Sequence, residues 1–132
     1  MQLAEYHGFD LSPTADESIS GGCQDIGFKT LFNRNWKVVT GVGDGYETAY
    51  LKRHPNFIYG YGGGQSSAFY KSSNNGLTFS STTNIPTTKY TVVAPLFVDS
   101  RDSIYSARHE LYRSKTPTLS WTKISNFAKR LL

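Results

Sequence analysis

The chain has 132 residues, with nine Tyr, eight Phe, two Trp, twelve Gly, a single cysteine and a formal net charge of +4. That length suits one domain, the apolar fraction and moderate charge argue against a disordered chain, and one cysteine excludes an internal disulfide. Aromatic and β-branched runs punctuated by Gly, Ser, Asn and Asp point to an all-β protein built on tight turns.

The first group of strands is expected over residues 6–40. Its members are Tyr6–Leu11, Ser18–Cys23, Gly27–Leu31 and Trp36–Val39, with a polar turn at Ser12–Glu17. The second group runs over residues 46–81, with strands at Glu47–Leu51, Phe57–Tyr61, Ala68–Lys71 and Thr78–Ser80. His54-Pro55-Asn56 is the turn between its first two strands. The third group runs over residues 90–125, with strands at Val92–Val98, Ser103–Ala107, Glu110–Arg113 and Trp121–Ile124. Asp99–Asp102 is its first turn. Residues 126–132 offer at most one turn of helix.

The groups repeat. Trp36, Phe79 and Trp121 follow one another at intervals of 43 and 42 residues. Phe69-Tyr70-Lys71-Ser72 returns as Leu111-Tyr112-Arg113-Ser114, again 42 residues on. A period in the low forties with four short strands is the size of one propeller blade. The expected fold is three four-stranded antiparallel blades of a β-propeller, an incomplete ring, forming a single partial domain over residues 1–132.

One hairpin loop is particular. In Ser72-Ser73-Asn74-Asn75-Gly76-Leu77-Thr78-Phe79, Asn74 can bond turn amides and Gly76 can adopt positive φ. Phe79 then buries a ring against the neighbouring blade. The segment resembles the Asp-box, Ser-x-Asp-x-Gly-x-Thr-Trp, of sialidase-like (BNR) propellers, with Asn74 for Asp and Phe79 for Trp. The third group keeps Ser114, Ser120 and Trp121 but has Thr116 and Thr118 at the Asp and Gly positions; the first keeps Trp36. A second segment, Gly21-Gly22-Cys23-Gln24-Asp25-Ile26-Gly27, is similar to the Gly-Gly-x-Gln-Asp-x-Gly segment of sortilin-type and xyloglucan-hydrolase-like propellers. Trp36, Gly43-Asp44-Gly45 and His54-Pro55-Asn56 follow in that family's order, with His54 where the family has Asp. Together the matches span residues 6–125. The resemblance implies structural turn roles for Asn74, Gly76, Phe79 and Trp121.

A glycosidase takes two carboxyl groups facing each other across the sugar bond. The candidates are Asp10, Asp25, Asp44, Glu47, Asp99 and Asp102, and none is assigned a catalytic role. Asp44, beside an inner strand, is a candidate ligand contact. Gln24 and Asp25 sit in a turn, where they bond backbone groups or touch a ligand. Tyr46, Tyr61 and Tyr90 are expected to be exposed and to stack on sugar faces. Arg34, Arg53, Arg101, Arg108 and Arg113 match no substrate-binding arginine cluster. Cys23 reads as a small packed residue, since no histidine adjoins it. His7, His54 and His109 are isolated, so no metal is expected, and no cofactor is implied.

The excess positive charge lies late in the chain and reads as a solvated basic face, so no nucleic-acid partner is expected. There is no apolar run of about 20 residues, so no membrane span is expected. Met1–Tyr6 does not read as a signal peptide; the parent protein is expected to be extracellular or at the cell surface. Three blades leave sheet edges and apolar faces uncovered. The expected partners are therefore remaining propeller blades or a second copy, the former being favoured, together with a glycan or protein ligand. The first functional reading is a non-catalytic glycan- or protein-binding module. The alternatives are part of a secreted glycoside hydrolase, with catalytic groups partly outside this chain, and an oligomeric lectin.

Overall fold

The computed structural model describes residues 5–14, 17–63, 68–86, 94–116 and 119–125. Twelve strands occur among them. β1 (Tyr6–Leu11), β2 (Ile19–Cys23), β3 (Gly27–Phe32) and β4 (Asn35–Val39) form the first sheet. β5 (Gly45–Tyr50), β6 (Ile58–Gly62), β7 (Ala68–Ser72) and β8 (Ser80–Thr82) form the second. β9 (Leu96–Val98), β10 (Ser103–Ala107), β11 (Leu111–Lys115) and β12 (Ser120–Lys123) form the third. Each sheet is a meander in which every strand pairs antiparallel with the next. This is the all-β, partial-propeller architecture expected from the repeat.

Most strand boundaries lie within one or two residues of the expectation, and two of the shifts have a local cause or limit. β8 begins at Ser80, because the Thr78 amide donates to Asn74 Oδ1 (3.0 Å) and keeps Thr78 and Phe79 in the turn. β9 begins at Leu96: Ala94 and Pro95, expected in the strand, are not part of it, and Val92 and Val93 lie outside the described residues.

The turns between the third and fourth strands follow local chemistry. In the first sheet, Asn33 (φ 50°) and Arg34 (φ 62°) make a two-residue loop with both residues left-handed, the geometry that matches strand twist. In the second sheet the loop is longer. Ser72 Oγ accepts from the Gly76 amide (2.9 Å), and Asn74 Oδ1 accepts from Ser72 Oγ (2.9 Å). Asn74 Nδ2 donates to Thr78 Oγ1 (2.8 Å), and Gly76 has φ 80° over Thr30 of the first sheet.

The sheets join face to face through aromatic knobs. Phe28 of β3 is fully buried beneath Phe79 (ring centroids 4.9 Å) and Tyr70 (5.7 Å) of the second sheet. Phe69 of β7, also fully buried, meets Trp121 of β12 at 4.9 Å, and Trp121 Nε1 donates to the Thr83 carbonyl (3.0 Å). The core between the second and third sheets gathers Tyr59, Tyr61, Phe69, Val98, Ile104, Tyr112 and Leu119. Burying each such large side chain contributes about 1.5–3 kcal/mol.

Polar bonds fasten the same joints. Asp10 Oδ2 of β1 accepts from the Tyr50 amide (2.9 Å) and from Lys52 Nζ (3.1 Å). Asp102, buried and left-handed (φ 65°), sits in the β9–β10 turn of the third sheet. Its Oδ1 accepts from the Lys52 (2.6 Å) and Arg53 (2.9 Å) amides of the second sheet, and its Oδ2 lies 2.6 Å from His54 Nδ1.

Tyr46 and Tyr61 are corrections to the sequence reading. Tyr46 is 3% exposed and Tyr61 fully buried, so neither offers a ring face to a sugar. Tyr46 packs on His7 (5.5 Å) and Tyr61 (5.5 Å), and Tyr61 in turn on Phe69 (5.4 Å). Tyr90 lies outside the described residues.

Candidate functional site

Alternating strand direction sends the β2–β3, β4–β5, β6–β7 and β10–β11 connections to one end of the sheets. The residues singled out as ligand contacts collect there. Gln24 and Asp25 are exposed in the β2–β3 turn, with Asp25 left-handed (φ 59°). The Gln24 amide donates to the Glu5 carbonyl (3.0 Å). The Asp25 amide donates to Asp44 Oδ1 (2.8 Å), and the Asp44 carbonyl accepts from the Gly63 amide (2.7 Å). Asp44 therefore ties a turn of the first sheet to a hairpin of the second. Gln24, Asp25 and Asp44 form one cluster at this rim, whereas Tyr46 points into the core.

Glu47 belongs beside them. It lies two residues beyond the start of β5 and opposite Tyr61, just after a register shift between Gly45 and Glu47. Its carboxyl group occupies the space that a side chain at Gly8 of β1 would fill. Burial pushes the Glu47 carboxyl above the usual carboxylate range, and nearby His7 pulls it back. A half-buried carboxyl with a raised pKa is the state that proton donors use. The sequence listed Glu47 as a carboxylate but gave no sign of its burial, which depends on a glycine 39 residues away.

Arg108, in the β10–β11 connection, places its guanidinium 4.5 Å from the Tyr61 ring centroid. Its Nε and Nη2 are buried without an acceptor among the described residues, and burial lowers its pKa. The stacked cation clamps the second sheet to the third. Cys23 is fully buried, and that burial pushes its thiol up, so it is packing and not a nucleophile.

Chemically, this rim offers carboxylates and an amide side chain that can accept and donate hydrogen bonds to hydroxyl-rich ligands. Asp44 Oδ1 is already engaged by a backbone amide and Glu47 is seated against Gly8. Among the described residues no group of three or more His, Cys, Asp or Glu could hold a metal ion. No helix among them is long and apolar enough to cross a membrane. At the opposite end, a cavity of about 280 Å³ is lined by Leu51, His54, Phe57 and Thr116.

No family model and no curated protein matches the chain. Solved structures do. A GH74 enzyme from Niastella koreensis is similar with TM-score 0.75 and 19% identity, over 94% of this chain and 22% of that one. An ancestral GH74 enzyme is similar with TM-score 0.66 and 13% identity, over 92% of this chain and 20% of that one. At such identities the likeness is one of fold. The chain is thus an all-β partial propeller, similar in fold to GH74 enzymes and spanning about a fifth of the length of each.

Proposed function

We propose that this chain is a glycan-recognising portion of a glycoside-hydrolase-type propeller, acting outside the cell, and that by itself it binds a glycan without cleaving it. The observation that carries the reading is the bond from the Asp25 amide to Asp44 Oδ1, which gathers Gln24, Asp25 and Asp44 at the loop end beside innermost strand β5. The fold likeness to GH74 enzymes supports a carbohydrate ligand. The resemblance of the Gly21–Gly27 segment to xyloglucan-hydrolase-like propellers names the first class to try, neutral β-glucan oligosaccharides.

The way the carboxylates are held supports the absence of turnover. Hydrolysis needs an acid and a base or nucleophile facing across one bond. Here Asp44 fastens a turn and Glu47 is wedged against a neighbouring strand, so the reacting pair would be completed by groups outside the chain.

Calorimetric titration with xyloglucan and cello-oligosaccharides tests binding, and a reducing-end assay on the same sugars tests turnover. Saturable binding, weakened roughly tenfold or more (about 1.4 kcal/mol) by Gln24→Ala or Asp25→Ala, is expected. No reducing ends should appear. Absence of binding to every sugar overturns the ligand class; steady release of reducing ends overturns the non-catalytic assignment.

A further inference from the structure

The two outer faces of this three-sheet stack carry the two halves of the joint that occurs twice inside it. Both internal joints share one plan. The fourth strand of the later sheet, or the turn leading into it, presents an aromatic knob, Phe79 or Trp121. The third strand of the earlier sheet presents the ring beneath it, Phe28 or Phe69. In the second joint the knob also donates to a carbonyl just past the earlier sheet's last strand, Thr83.

On the first sheet the knob is Trp36. Strand register places it in a row with Leu31, Ile19 and Leu11, running across all four strands on the face turned away from the second sheet. Trp36 is 58% exposed, Leu11 56% and Phe9, one row along, 67%. In the third sheet the matching row, Val98, Ile104, Ser114 and Trp121, meets the second sheet, and its first three members are buried.

On the third sheet the receiving position is Leu111. It stands in β11 where Phe69 stands in β7. The Phe69 amide donates to Asn84 Oδ1 (2.8 Å) and the Leu111 amide to Ser125 Oγ (2.7 Å), each a polar residue just past the last strand. On the same face Phe97 is 64% exposed and lies 6.2 Å from Tyr105. Ser125 takes the place of Thr83 and Asn84.

We infer that the chain on its own pairs with a second copy head to tail, Trp36 of each copy packing over Leu111 of the other, to close a six-bladed ring. Six blades fall within the range of known propellers. The contact is heterologous; two copies carry two knobs and two receiving faces, and the ring closes when the three blades of each copy span half a turn. Trp36 Nε1 then bonds the partner's main chain at Ser125, as Trp121 bonds Thr83 within the chain.

Light scattering on the purified chain, across roughly 1–100 μM, tests this in the affinity range of ordinary dimers. The expected result is a dimer that Trp36→Ser and, separately, Leu111→Asp convert to monomer. Trp36→Ser should still unfold in one cooperative transition, because the replaced side chain is largely exposed in a single copy, at a Tm lowered by the loss of pairing. A monomer throughout this range overturns the inference and assigns the face to blades of other origin. Trimers, open polymers, or a dimer that survives both substitutions also overturn it. Heteronuclear spectra of Leu111→Asp separate loss of pairing from loss of fold, and an unfolded Leu111→Asp leaves Trp36→Ser to decide.

Discussion

Replacing Asp102 gives the sharpest test of how the blades are held together. One carboxylate of the third sheet receives the Lys52 and Arg53 amides of the second and faces His54 Nδ1. Amide bonds to a charged acceptor contribute about 1.5–3 kcal/mol each, but the two share one oxygen, so about 3 kcal/mol for the pair is reasonable. The His54 side chain is 63% exposed, so solvent limits that contact to roughly 0.5 kcal/mol. Alanine at φ 65° adds about 1 kcal/mol, because a Cβ without a local polar partner disfavours the left-handed region. Asp102→Ala should therefore destabilise by about 4 kcal/mol, which lowers Tm by roughly 10–16 °C in a chain of this size.

Three variants separate the contributions. Asp102→Asn keeps an acceptor for both amides and tolerates the left-handed backbone, so it should lose about 1–2 kcal/mol. Asp102→Gly loses the bonds without the backbone penalty and should fall between the other two. Thermal circular dichroism at pH 7 and one fixed protein concentration measures all three; the fixed concentration matters because self-association would shift Tm by mass action. An Ala variant within about 3 °C of the parent, under 1 kcal/mol by the same scale, would refute the reasoning. So would an Asn variant as unstable as Ala, since the two amide bonds would then contribute nothing.

A Cβ at Gly45 would lie 2.9 Å from the Cys23 nitrogen and still closer to the Gly27 carbonyl, both main chain. Gly45→Ala should cost about 3 kcal/mol or more in urea unfolding. Gly41→Ala, with open space but φ 85°, should cost only about 1 kcal/mol. In the β7–β8 turn, Asn74→Asp keeps the Oδ1 bonds and should change stability by less than about 1 kcal/mol, whereas Asn74→Ala should cost about 1–3 kcal/mol by the same assay. Glu47 titrates above its unfolded value in the folded chain, so the native state retains that proton longer and loses stability as pH rises between the two values. Glu47→Gln should therefore be more stable relative to the parent at pH 7 than at pH 4, compared by chemical denaturation at each pH.

The meander was legible because its signals are local. Trp36, Phe79 and Trp121 mark the period, and the Gly-, Asn- and Asp-bearing segments between apolar runs mark the turns. The start of β8 was misplaced by a bond from Asn74 to Thr78, four residues away, which competes with strand pairing. The burial of Tyr46 and Tyr61 escapes the sequence for a different reason. A tyrosine at the start or end of a strand faces either solvent or a neighbouring blade, and periodicity within one blade cannot tell which. The cluster of Gln24, Asp25 and Asp44 was half legible: the two motifs were read separately, but their union depends on a bond across 19 residues. His54 and Asp102, 48 residues apart, gave no sequence signal at all.

The joints also decide which acidic residues remain for chemistry. At the outer strands the sheets meet through rings, Phe28 with Phe79 and Phe69 with Trp121. At the inner strands and the connections beside them they meet through carboxylates that bind amides of another sheet: Asp10 with Tyr50, Asp44 with Asp25, Asp102 with Lys52 and Arg53. Asp99 is used likewise within its own turn. Burial would raise its carboxyl, but the Ser103 and Arg101 amides and the Tyr105 hydroxyl outweigh it and hold the group below the ordinary range. A carboxylate committed in this way has its oxygens engaged in ordering a joint or a turn. Four of the six carboxylates that are candidates for a glycosidase pair are thereby occupied in building the fold. Only Asp25 and Glu47 remain, one in an exposed turn of the first sheet and the other wedged between the first two sheets. The carboxylates that the joints and turns leave over are thus split between an exposed turn and a packed strand, and no joint brings the two together as it does Asp44 and the Asp25 amide.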